Sequence, residues 1–171
     1  MSDSLWEDRS NLESTTPDVV AAIDGSSLVV ERFGRWLKFI DAEVVSQTFD
    51  RGNLKEVFQT ERWSEAVLPS LEAIFYVFDE LHASDSPDRK PTLLTIRFCE
   101  LDRFSMNGFN HQNSIVELAI VQEYSEQLKQ NIFAVDWGGT GILHEASFTC
   151  RRIEVIKLEC LPTETNTSAT G

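Results

Sequence analysis

The fold this sequence predicts is mainly β (α+β): an antiparallel β-sandwich or open barrel of about seven or eight strands with a small N-terminal helical element. Three observations predict it. From residue 41 onward, apolar residues recur at every second position in short runs, the spacing of half-buried strands. Clusters of Gly, Asn, Asp and Pro punctuate those runs. Little helix is expected after residue 40, although residues 71–78 would also fit a helix by pattern alone.

Residues 1–16 are polar and read as a loose N-terminal segment, residues 17–162 as a single globular domain, and residues 163–171, rich in Thr and Ser, as a loose C-terminal tail. The run Pro17-Asp18-Val19-Val20-Ala21-Ala22-Ile23 predicts a short helix, with Thr16 as cap, Pro17 in the first position and Gly25 at the end. A weaker helix or turn is expected over residues 30–37. In the strand that follows, Val45, Gln47 and Phe49 should share one face, with Val44, Ser46 and Thr48 on the other. Asp50-Arg51-Gly52-Asn53 is turn chemistry, and Trp63 is a candidate anchor for the mixed connection after it. Residues 71–78 are apolar on both parities and rich in β-branched and aromatic side chains, which favours a buried central strand.

Leu94, Ile96 and Phe98 alternate with Thr95 and Arg97, a half-buried strand. Glu100-Leu101-Asp102-Arg103 suits a hairpin turn, with Phe104 and Met106 on the return strand. Further faces are expected at Val116, Leu118 and Ile120, at Phe133, Val135 and Trp137, and at Ile142, Ala146 and Phe148. The last strand carries a parity defect. Ile153 and Val155 share one face, whereas Ile156, Leu158 and Cys160 share the other, and keeping both sets inside requires a β-bulge.

Composition bounds the function. Hydrophobic residues make up 42% of 171, enough for a folded domain with a real core. Asp and Glu number 28 against 15 Lys and Arg, a formal charge of -13. Such a field repels phosphate backbones, and the adjacent cations Arg89-Lys90 and Arg151-Arg152 make no basic stripe, so nucleic-acid binding is not expected. A basic protein surface is the partner this charge would steer, although solubility alone also explains it. Cys99, Cys150 and Cys160 lack CxxC spacing and read as buried free thiols, which argues for a reducing cytoplasm and against structural zinc. No apolar signal core or membrane-length segment is evident, so no membrane association is expected.

Candidate chemistry is sparse. His82, His111 and His144 lack the short spacing of a metal site. Gly138-Gly139-Thr140-Gly141 lacks the Lys of a phosphate loop and reads as a glycine hairpin. Asp41 and Glu43, two apart at the start of a strand, would lie about 7 Å apart on one face. They offer an acid–base pair, a surface binding pair or, for Asp41, a bond to local backbone. The amides of Asn110, Gln112 and Asn113 can hold their own loop or grip a partner's backbone. Trp36, with Phe33 and Phe39, is either core packing or an interface anchor. Together Trp36, Asp41, Glu43, Asn110, Gln112 and Asn113 form the candidate partner-binding set.

The segment Phe33-Gly34-x-Trp36-x-x-Phe39-x-Asp41-Ala42-Glu43-Val44, followed by Asp50-Arg51-Gly52, resembles the opening block of the bacterial immunity protein 50 family. Gly108-Phe109-Asn110-x-Gln112-Asn113 resembles that family's second block. The pattern departs at Leu37 and Ile40, where the family carries Pro and His, and the missing His argues further against an enzyme. The resemblance implies an immunity protein of a polymorphic toxin system. Such a protein binds a cognate or kin toxin and neutralises it in the cytoplasm, without a cofactor and without catalysis. Two other readings stand beside it. One is a small-ligand-binding or hydrolytic β domain in which Asp41, Glu43, His111 and His144 converge. The other is a structural homodimer through an exposed sheet edge.

Overall fold

A computed structural model describes residues 15–52, 69–82, 86–109, 113–138 and 145–162 of the chain. Trp63, Asn110, His111, Gln112, Ile142, His144 and the glycine run after Gly138 lie outside the described residues. Eight strands form two antiparallel four-stranded sheets, accompanied by two short helices, which is the mainly β architecture expected. Helix α1 spans Pro17–Ala21 and α2 spans Ser26–Phe33. The strands are β1 (Glu43–Asp50), β2 (Ser70–Val77), β3 (Thr92–Cys99), β4 (Asp102–Asn107), β5 (Glu117–Ser125), β6 (Gln130–Gly138), β7 (Glu145–Cys150) and β8 (Arg152–Cys160). The first sheet has the order β1-β2-β3-β8 and the second β4-β7-β6-β5.

The first helix starts where expected and ends earlier, and the second is shifted. Pro17 opens α1, where its missing N–H costs nothing. Thr16 makes no side-chain cap bond. Gly25 does not end α1. It precedes α2 at φ +73, and Gly34 ends α2 at φ +77 with its amide bonded to the Val30 carbonyl at 2.7 Å. The two glycines supply left-handed backbone at both ends, and this sets α2 over 26–33 in place of 30–37.

Strand periodicity survives in the packing. Leu71, Ala73, Phe75 and Val77 of β2 and Leu94, Ile96 and Phe98 of β3 are buried on one face of the first sheet. Leu118 and Ile120, then Phe133, Val135 and Trp137, then Ala146 and Phe148 are buried in the second. Val116 does not join them. It precedes β5 and is 48% exposed. Trp137 is the centre of the core, with ring centroids 5.5 Å from Phe75, 5.7 Å from Phe98 and 5.3 Å from Phe148. Its edge-on contacts with Phe75 and Phe148 have the orientation that the aromatic quadrupole favours.

The parity defect of the last strand is a bulge. Thr95 pairs with Lys157 but Ile96 pairs with Val155, so Ile156 is the extra residue and stands 41% exposed. The slip lets Ile153 and Val155 stay buried while Leu158 packs on the same core. A second irregularity lies in β1 between Val44 and Ser46, leaving Val45 49% exposed.

The expected hairpin at residues 100–103 does not form. β3 belongs to the first sheet, and β4 pairs with β7 in the second. Glu100 at φ +58 and Arg103 at φ +51 turn the chain out of one sheet and into the other. Leu101 between them is buried, with its amide bonded to the Pro69 carbonyl at 2.8 Å. A buried residue in mid-turn is tied to the core, which a solvent-facing hairpin loop would not be.

Two sheet edges are met by the N-terminal region. On β8, Asp24 donates to the Ile153 carbonyl at 3.0 Å and accepts from the Val155 amide at 2.8 Å. On β5, the Leu118 amide reaches the Lys38 carbonyl at 3.0 Å and the Ile120 amide reaches Thr15 Oγ1 at 3.1 Å. These bonds satisfy backbone groups that an edge strand otherwise leaves to water.

Candidate functional site

The end of the first sequence block meets Asn113, the last residue of the second, and the two residues after it. Residues 34–42 form the connection between α2 and β1, and residues 108–116 lead from β4 to β5. The Val44 amide donates to the Asn113 carbonyl at 2.9 Å, and the Ile115 amide donates to the Ala42 carbonyl at 2.8 Å. Glu43 and Ser114 are bridged as an antiparallel pair. The Lys38–Leu118 bond extends the same seam.

Asp41 is not part of a strand, so it does not share a strand face with Glu43. β1 begins at Glu43, and Asp41 sits in a turn closed by the Ala42 amide on the Phe39 carbonyl at 3.0 Å. Phe39 at φ +65 and Asp41 at φ +56 both occupy the left-handed region. Asp tolerates that region better than most residues, which gives Asp41 a conformational role and leaves its carboxylate exposed. Phe39 has no such tolerance. Its ring is 1% exposed and packs 5.5 Å from Phe75, so core burial holds the turn in this conformation.

Trp36 is half-buried, 5.9 Å from Phe39 and packed on the core. Asn113 is 8% exposed, and its carbonyl belongs to the seam. Along the segments that meet there, Lys38, Asp41 and Glu43 are exposed, and Ile40, Val45 and Val116 are each more than two-fifths exposed.

A carboxylate cluster at the end of β2 anchors this connection, and the sequence reading did not single it out. Asp79 is 4% exposed. Its Oδ1 accepts from Arg35 Nη2 and from the Leu81 amide, each at 3.1 Å, and its Oδ2 lies 3.2 Å from His82 Nδ1. Glu80 accepts from the Lys38 amide at 3.3 Å and the Ile40 amide at 3.2 Å. Two neighbouring carboxylates therefore fix residues 35–40 by a guanidinium and two backbone donors. A clue was present in the sequence: Asp79-Glu80 directly follows a buried strand, where two acidic groups need partners. Among the described residues no cluster of three His, Cys, Asp or Glu side chains could hold a metal ion.

The other end of β5 carries a groove of about 650 Å³. The β5–β6 hairpin forms one wall, and the crossings at 100–103 and 150–152 form the other. Ile132 and Thr149 also line it. Thr149 Oγ1 donates to the Asp102 carbonyl at 3.2 Å, and Arg151 pairs with Glu100 at 2.8 Å. Cys150 also borders the groove, and burial together with the neighbouring Cys99 pushes its thiol pKa strongly up, so it is a neutral thiol and a poor nucleophile. Burial raises Cys99 as well, with Glu154 adding to the shift. Cys160, expected to be buried, is exposed: it is the last residue of β8, a strand at the edge of its sheet.

No protein-family model, curated protein or solved structure matches this chain. Among the described residues no helix is long and apolar enough to cross a membrane.

Proposed function

We propose that this protein is an immunity-type binding protein that docks on a toxin made by its own cell or its kin and neutralises it in the cytoplasm. The observation that carries the proposal is the seam. The end of the first block that resembles the immunity protein 50 family is joined by backbone hydrogen bonds from 42–44 to 113–115, where Asn113 closes the second block and Ser114 and Ile115 follow it. At that junction Asp41, Glu43, Ile40, Val45 and Val116 are exposed, and the two carboxylates are groups that a basic partner surface would complement. The net charge of -13 speeds encounter with a basic toxin surface. In this reading the chain binds and transforms nothing. It needs no cofactor, and Asp41, Glu43 and Trp36 contribute contact.

Co-expression with the toxin domain encoded beside its gene tests the proposal. The expected result is a stable complex and rescue of growth, both weakened by Asp41→Lys and Glu43→Lys. A toxin domain that neither copurifies nor is neutralised overturns it. Light scattering on the purified chain decides between this role and a homodimer.

A further inference from the structure

We propose that the groove at the hairpin end of the second sheet is a docking surface for a basic, partly aliphatic segment of a partner protein. The inference rests on the docking reading above only for the partner being a protein. It places a second contact at the end of β5 opposite the seam.

Three observations support it. The groove's 650 Å³ is enough for several side chains. Its charges are unbalanced: Glu100, Asp102, Glu123 and Glu126 face Arg103 and Arg151, the Glu100–Arg151 pair occupies one of each, and Glu126 pairs with Lys129 at 2.8 Å, which leaves Asp102 and Glu123 against Arg103. The remaining excess is negative, and the protein's charge of -13 reinforces it. A cationic segment is therefore the complementary occupant. Third, the groove offers apolar contact beside those charges. Tyr124 is 56% exposed and Leu128 38% exposed on the hairpin wall, and Ile132 also lines the groove. An exposed Tyr at a groove wall supplies a large contact at small entropic cost. The opposite wall is shaped by a register shift in β4 between Asp102 and Ser105, where Arg103 adopts φ +51. Bulges of this kind re-aim side chains, and here Arg103 borders the groove.

A short synthetic peptide of lysine, leucine and glycine is the probe, titrated into the isotope-labelled full chain and followed by amide NMR. Saturable shifts are expected at residues 100–103 and 123–128. The double variant Glu123→Lys/Glu126→Lys, altering two exposed side chains, should weaken binding at least about tenfold, and Tyr124→Ala several-fold. A peptide with glutamate in place of lysine should not bind. Shifts confined to the seam, unchanged affinity in the double variant, or no saturable shift at millimolar peptide would each overturn the inference. Toxin capture separates it from the function proposed above. A neighbouring toxin held equally well by wild type and the double variant removes the groove and leaves neutralisation standing. Peptide binding at the groove without toxin capture does the reverse.

Discussion

Replacing Asp79 tests how the connection between α2 and β1 is held. Its side chain is 6% exposed and engages Arg35 at 3.1 Å, the Leu81 amide at 3.1 Å and His82 at 3.2 Å. A hydrogen bond to a buried charged group contributes about 1.5–3 kcal/mol, which sets the worth of the Leu81 bond. Arg35 is 31% exposed, so solvent screening holds its pair to about 1 kcal/mol. Asp79→Ala should therefore destabilise the protein by about 3 kcal/mol, mostly through the lost acceptor for Leu81 and the lost Arg35 pair, with Glu80 at 3.7 Å still beside the guanidinium. For a chain of this size that lowers Tm by roughly 6–12 °C. Asp79→Asn keeps the shape and one acceptor but not the charge, and should cost about half as much. Urea and thermal melts measure both variants, and a double-mutant cycle with Arg35→Ala isolates the pair at about 1 kcal/mol. Hydrogen exchange at the Lys38 and Ile40 amides should accelerate in Asp79→Ala, because Arg35 no longer holds the segment that Glu80 caps. A loss below about 0.5 kcal/mol with unchanged exchange would refute the reasoning, since a buried, triply engaged carboxylate cannot be energetically silent.

Gly25→Ala should destabilise by about 2–4 kcal/mol in a urea melt, because a Cβ there meets the Val155 carbonyl at 2.8 Å on a backbone at φ +73, whereas Gly34→Ala, with open space at φ +77, should cost about 1 kcal/mol. Trp137→Ala should cost at least about 3–5 kcal/mol, since the indole is fully buried among Phe75, Phe98 and Phe148. The Cys150 thiol has a folded pKa well above its unfolded one, so its stabilisation is complete below about pH 8.5 and is lost as pH rises, by about 1.4 kcal/mol at pH 9.5. Melts across that range should show the slope in the wild type and a shallower one in Cys150→Ala. Native alkylation read by mass spectrometry should label exposed Cys160 well before Cys150.

The sequence by itself determined which side of β3, β5, β6 and β7 is buried. Leu94, Ile96 and Phe98, or Phe133, Val135 and Trp137, declare their face because strand side chains alternate and water rejects the apolar set. The bulge at Ile156 was legible from the parity break between Val155 and Ile156, but of the set expected inside after it only Leu158 packs on the core, while Ile156 and Cys160 are exposed. Partner choice belonged to the tertiary structure. Residues 100–103 carry turn chemistry whether the chain folds back as a hairpin or crosses to the other sheet, and burial of Leu101 decides between them. The seam from 42–44 to 113–115 is made of backbone groups, which every residue carries alike. The carboxylates of Asp79 and Glu80 find Arg35, Lys38 and Ile40 some forty positions away, and the groove exists only where two sheet crossings and a hairpin converge. Periodicity records what each residue must avoid. Long-range backbone pairing and charge satisfaction, blind to local pattern, decide what it meets.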